Sequence, residues 1–113
     1  MRAVYLLGEK KATQAVGALA ELFRRTSNPF LKSEVVEAVA KIGGDSAFSL
    51  LIEALQDPSF IVRAEVVGAV SKFSGGDLVE RALNRALNDP SSYVRDMARE
   101  AIDSLESANQ GEG

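Results

Sequence analysis

The chain has 113 residues, 46% of them hydrophobic and 26% charged, with a formal net charge of −3. That length can bury a core without staples, and the absence of both cysteine and histidine removes thiolate nucleophiles, sulfur-ligated metals and the commonest general base. The acidic balance argues against general nucleic-acid binding, and the longest charge-free run, the nine residues Ala12–Ala20, is too short to span a bilayer.

Residues 2–8 read as the second half of a helix, with Ala3, Val4 and Leu7 on its apolar side and Gly8 closing it. Residues 9–14 read as a turn with Thr13 as the N-cap of the next helix, which runs to about Arg25 on the stripe Ala15, Ala18, Leu19, Leu22 and Phe23. Residues 26–29 form the following turn.

From there a unit recurs. Its first helix, helix A, carries Leu31, Val35, Ala38, Val39 and Ile42 at i, i+4, i+7, i+8 and i+11. Val62, Val66, Ala69, Val70 and Phe73 have the same spacing, as do Val94, Ala98, Ala101, Ile102 and Leu105. That spacing is one face of an α-helix. Asn28-Pro29, Asp57-Pro58 and Asp89-Pro90 precede the three copies, with Asp57 read as an N-cap and the proline as a first-turn residue.

The second helix, helix B, carries Ala47, Leu50, Leu51, Ala54 and Leu55, matched by Val79, Ala82, Leu83, Ala86 and Leu87. Gly43-Gly44 and Gly75-Gly76 stop the A helices, and Asp45 and Asp77 read as N-caps of the B helices. The unit repeats about every 31 residues, in the range that marks a solenoid. Complete units cover residues 30–56 and 58–88, and a fourth contributes only its A helix, from about Pro90 to Glu106. The expected fold is all-α, a stack of about seven antiparallel helices in three and a half repeats. Residues 1–106 form its single domain, and residues 107–113 are a disordered tail.

The motif D-P-x-x-x-V-R, present as residues 57–63 and 89–95, leads into an alanine- and valine-rich helix. Gly-Gly-Asp and A-x-x-x-L-x-x-A-L follow it. This pattern resembles the short HEAT repeats of phycobilin lyase subunits and many prokaryotic proteins, over roughly residues 3–105. The resemblance implies a HEAT-like α-solenoid, and docking scaffolds dominate that family. Two HEAT-built enzyme classes can be compared directly. The di-iron deoxyhypusine hydroxylases use His-Glu metal motifs, and this chain has no histidine. The HEAT-like DNA glycosylases need a basic concave groove with aromatic residues, and neither is evident.

No residue is assigned a catalytic, cofactor-binding or metal-binding role. Lys32, Arg63 and Arg95 share one repeat position, read as ties between the Asp-Pro turns and neighbouring carbonyls rather than as a ladder for an anion. Asp45, Asp57, Asp77 and Asp89 are explained by capping rather than acid–base chemistry. In HEAT solenoids the B helices line the concave side, which here gives a polar strip of Glu21, Arg24, Ser49, Glu53, Gln56, Arg81, Arg85 and Asn88, with a partner expected to touch Glu53 and Arg85 together. At the N-terminal end Tyr5 and Leu6 stand where sister helices carry Ala40-Lys41, Ser71-Lys72 and Asp103-Ser104. This apolar edge is to be covered by a second copy or an upstream segment, or folded over the first helix B.

The sequence therefore predicts a non-catalytic HEAT-repeat scaffold in the cytoplasm, without cofactor, that binds another protein and neither membrane nor nucleic acid. The alternatives are an accessory or chaperone-like subunit of a phycobilin-lyase-type assembly, or a fragment of a longer HEAT solenoid.

Overall fold

The structure, a computed structural model, describes the backbone of residues 2–72 and 76–112 and the side chains of residues 11–72 and 76–107. Among these residues there are six helices and no strand. They are α1 (Arg2–Arg25), α2 (Pro29–Ile42), α3 (Gly44–Ala54), α4 (Phe60–Val70), α5 (Asp77–Ala86) and α6 (Ser92–Glu112).

The count is six rather than about seven because the two helices expected before Thr26 are one, of 24 residues. A single interior glycine, Gly8, costs only about 1 kcal/mol relative to alanine, and Glu9-Lys10-Lys11-Ala12 favours helix. Nothing there matches the glycine pairs that do break the chain. Gly43 and Gly44 adopt φ of 74° and 89°, and Gly76 adopts 105°, all in the left-handed region that glycine alone enters without strain. Thr13 therefore lies mid-helix. Tyr5 and Leu6 lie in the part of α1 whose side chains are outside the described residues, as does Phe73 after α4.

The helix starts also differ in detail from the expected caps. Asn28 does cap α2, its side-chain oxygen accepting from the amides of Phe30 at 2.9 Å and Leu31 at 3.4 Å. In α4 the cap is Ser59, whose hydroxyl accepts from the Ile61 amide at 3.2 Å. Asp57 stands two residues earlier and accepts from the Ser59 amide at 3.0 Å. Asp89 treats the Ser91 amide the same way, at 2.9 Å. These are Asx turns, and they leave each carboxylate able to accept a further bond. Asp45 and Asp77 are not caps either. Gly43 and Gly76 hold those positions without side-chain bonds, and both aspartates sit in the first turn, where their charge meets the positive helix end.

Helices α2, α4 and α6 pack in succession, α1 and α3 pack on each other and on α2, and α5 packs on α4 and α6. The A-type helices thus form one layer and α1, α3 and α5 the other. The largest fully buried side chains are Leu51, Leu83, Val36, Val39, Val62, Val66, Val67, Val70 and Val94. Val36 and Val67 widen the stripe expected for helix A, because α2 and α4 each have helix neighbours on both flanks as well as a B helix behind. In α1 the buried set is Val16, Ala20 and Phe23 with Leu19 half-buried, while Ala15 and Ala18 are exposed and Leu22 keeps 40% of its surface open. The stripe is one residue later than expected, in the same register as Ala47, Leu50, Leu51 and Ala54. Alanine fits either face of a helix, so Ala15 and Ala18 did not fix the phase. At the other end α6 continues through residues 107–112, the span expected to be a tail.

Candidate functional site

The best-defined polar structure is the ladder where the repeats meet. The Lys32 ammonium donates to Asp57 Oδ1 at 2.7 Å and lies 5.1 Å from the centre of the Phe23 ring. Arg63 donates from Nε and Nη2 to the two oxygens of Asp89 at 2.8 and 3.1 Å. Its Nη1 reaches the backbone oxygens of Asp57 at 2.7 Å and Pro58 at 3.0 Å. Arg95 Nη1 holds the oxygens of Asp89 at 2.6 Å and Pro90 at 3.0 Å. The repeat position thus ties turns together, as its recurrence suggested.

The electrostatics of this ladder is that of paired, partly buried charge. Burial pushes the Asp89 carboxyl upward. The Arg63 side-chain bonds, the Ser91 amide and the charges of Arg63 and Arg95 outweigh it and hold the group below the ordinary carboxylate range. The aspartate carboxylates of this ladder are engaged as acceptors, and an acceptor held ionised in this way is poorly suited to giving up a proton.

All eight strip residues are exposed, but the structure joins only some of them. Arg24 and Glu53 form a two-bond pair between α1 and α3, 3.0 Å from Nε and 2.7 Å from Nη2. The Arg24 side-chain bond, opposed by burial, lowers the Glu53 carboxyl, while the Glu53 bond and charge raise Arg24, with a smaller contribution from Glu21. Arg85, Gln56 and Asn88 line one depression of about 520 Å³ together with Asp57, Arg63 and Asp89. Arg81 turns along its own helix to Asp77 at 3.2 Å, and Ser49 borders a separate shallow recess beside Phe48 and Leu78. Among the described residues Glu53 makes its ion pair with Arg24 and none with Arg85.

One feature escaped the sequence reading. Phe30, Phe60 and Tyr93 remain 67%, 47% and 57% exposed at the starts of the A-type helices. Phe60 and Tyr93 meet edge to face, with ring centres 6.2 Å apart. The signal was present, since Phe30, Ile61 and Tyr93 each precede the first core residue of helix A.

A metal centre of the His-Glu kind does not fit these residues. The sequence contains no histidine, and among the described residues no three of His, Cys, Asp and Glu gather as metal ligands would.

A family model described as HEAT repeats matches residues 1–71, and the chain belongs to the HEAT-repeat family. Similar curated proteins include the deoxyhypusine hydroxylase of Coccidioides immitis, 32% identical over 103 residues. Those of Aspergillus clavatus and Aspergillus fumigatus are 33% identical over 103 residues. Each alignment takes in 89% of this chain and 30% of the relative, so the chain spans about 30% of the length of the relatives it matches.

This overturns the expectation of a non-catalytic scaffold that is no enzyme. The proteins that share the sequence over most of its length are named as an enzyme. The error has a physical source. Repeat-forming positions obey the same packing rules in docking scaffolds and in repeat-built enzymes, so they carry no information about which of the two is present.

Proposed function

We propose that the chain works in an enzyme of the deoxyhypusine hydroxylase type, as HEAT-repeat framework bordering the site where deoxyhypusine reacts. The observation that carries this reading is the identity of 32–33% sustained over 103 residues, which spans nearly every helix. Because the residues present do not fit a His-Glu metal site, we assign no step through a metal to them. Their role in this reading is to hold and orient. The exposed charges of the B-helix face and the depression beside Arg85 and Asn88 offer polar contacts to a substrate, and the ladder keeps that face rigid.

The reading takes the two helix layers as successive turns of an α-solenoid, with α1, α3 and α5 lining the concave side. It places the protein in the cytoplasm. No described helix is long and apolar enough to cross a membrane, which is compatible with that placement. Kinship with phycobilin lyase subunits has only the repeat pattern in its favour.

The test is an assay with a deoxyhypusine-bearing substrate, read by mass spectrometry as the gain of one oxygen. One arm contains the purified chain and ferrous iron. The other mixes the chain with Coccidioides immitis hydroxylase from which the matching span has been removed. Product in either arm supports the reading. Product in neither, while the intact Coccidioides enzyme turns over the same substrate, rejects it.

A further inference from the structure

The charged ladder is closed at one end of the stack and open at the other. Lys32 finds its carboxylate 25 residues onward at Asp57, and Arg63 finds its own 26 residues onward at Asp89. Arg95 repeats the carbonyl contacts of Arg63, through Nη1 to Asp89 and Pro90. Among the described residues, however, no carboxylate meets its remaining edge, and the same spacing counted from Arg95 falls beyond Gly113. At the opposite end the acceptor position holds Asn28, a neutral residue already bonded to the amides of α2.

A second observation falls at the same end. In α4, Val70 is fully buried beneath α5. Its counterparts at the end of α6, Ile102 and Leu105, are only half-buried. No B helix covers them, and α6 continues to Glu112, past the position where α2 ends at Ile42. That continuation leaves no reverse turn among the described residues to bring such a helix back.

We propose that the α6 end of the stack is a docking edge for a helix of another HEAT-repeat polypeptide. The apolar stripe of that helix covers Ile102 and Leu105, and its trailing turn presents an aspartate to Arg95. The chemistry of the occupant is given by what α5 and Asp89 do for α4 and Arg63 one repeat earlier. A second copy of this chain docked head to tail fits less well, because it would bring neutral Asn28 to Arg95 where the other two rungs have aspartates. The inference stands on the ladder geometry and does not depend on the hydroxylase reading.

The probe is a fluorescent peptide with the sequence of residues 76–91, which contains α5 and its Asp-Pro turn. It is titrated with the full chain and followed by anisotropy. Saturable binding is expected, weakened about tenfold or more by Asp89→Asn in the peptide, since an unpaired desolvated charge is costly. Arg95→Gln in the chain should weaken binding similarly, and the two changes together should cost little more than either alone. Absence of binding overturns the proposal. So does equal binding of the parent and Asp89→Asn peptides, a comparison made on the unaltered chain and therefore free of any folding defect. Self-association of the wild-type chain in sedimentation, strengthened by Asn28→Asp, would assign the edge to a second copy and overturn it as well.

Discussion

Arg63 grips Asp89 by two parallel bonds across 26 residues of chain, with side chains only 13% and 8% exposed. The same guanidinium holds the backbone oxygens of Asp57 and Pro58. One side chain therefore fastens the turn before α4 to the turn before α6, and the fork of arginine supplies the geometry that both contacts need.

Arg63→Ala is expected to destabilise the fold by about 3–5 kcal/mol, because it leaves the Asp89 carboxylate poorly solvated and unpaired. Arg63→Lys keeps the charge but loses the fork, and should recover only part of that stability. Urea unfolding of the three proteins measures both. A loss below about 1 kcal/mol for the alanine variant would place this pair with ordinary surface salt bridges.

The depressed Asp89 carboxyl makes stability depend on acid. Its folded pKa lies below the ordinary value of 3.8, so the unfolded chain binds the proton more readily. The stabilisation is fully present above that value and is lost as pH falls through the lower folded one. Unfolding curves should be flat in this contribution at neutral pH and steepen below about pH 4. Asp89→Asn should start less stable and show a shallower acid limb, and an unchanged slope would remove Asp89 from the account.

The ladder and the core were legible because both recur with the repeat. Val66, Val70, Leu51 and Leu83 fell where helical spacing placed them, and Lys32, Arg63 and Arg95 shared one position before any contact was known. What failed was local. Gly8 resembled the glycine stops elsewhere but stood alone among good helix formers, and Ala15 and Ala18 did not distinguish a buried face from an open one. Asp57 and Asp89 have the chemistry of caps, yet serine two residues later did that work and the carboxylates turned to Lys32 and Arg63. The strip along α1, α3 and α5 was read as polar, which holds. Its pairing was not readable, since Arg24 reaches Glu53 only because α1 and α3 lie side by side.

That pair should contribute little. Arg24 and Glu53 have side chains 58% and 43% exposed, so water and salt screen them despite good two-bond geometry. A double-mutant cycle of Arg24→Ala and Glu53→Ala is expected to give a coupling of about 1 kcal/mol or less, declining with added salt. A coupling several times larger would mean that α1 and α3 depend on this contact for their packing.

Leu83 is 1% exposed, on the α5 stripe between the two layers. Leu83→Ala should cost about 2–5 kcal/mol, the range for a buried leucine whose surroundings collapse only partly. Leu78→Ala, on the same helix but 51% exposed, should cost far less. Equal losses in thermal unfolding would contradict the register of α5.

Two glycines should respond in opposite directions to the same substitution. Gly17 is an exposed residue inside α1, with nothing within 4 Å of an added methyl group. Alanine there relieves the entropic cost of a helical glycine, and Gly17→Ala should stabilise the chain by up to about 1 kcal/mol. Gly44 also has open space around it, but its φ is +89°. Space does not help a residue whose Cβ clashes with its own backbone. Gly44→Ala should therefore destabilise by about 1–2 kcal/mol, loosening the turn that reverses the chain between α2 and α3. Thermal unfolding of the two variants beside the wild type measures both signs. Stabilisation by Gly44→Ala would mean that the α2–α3 turn does not hold its left-handed backbone in solution.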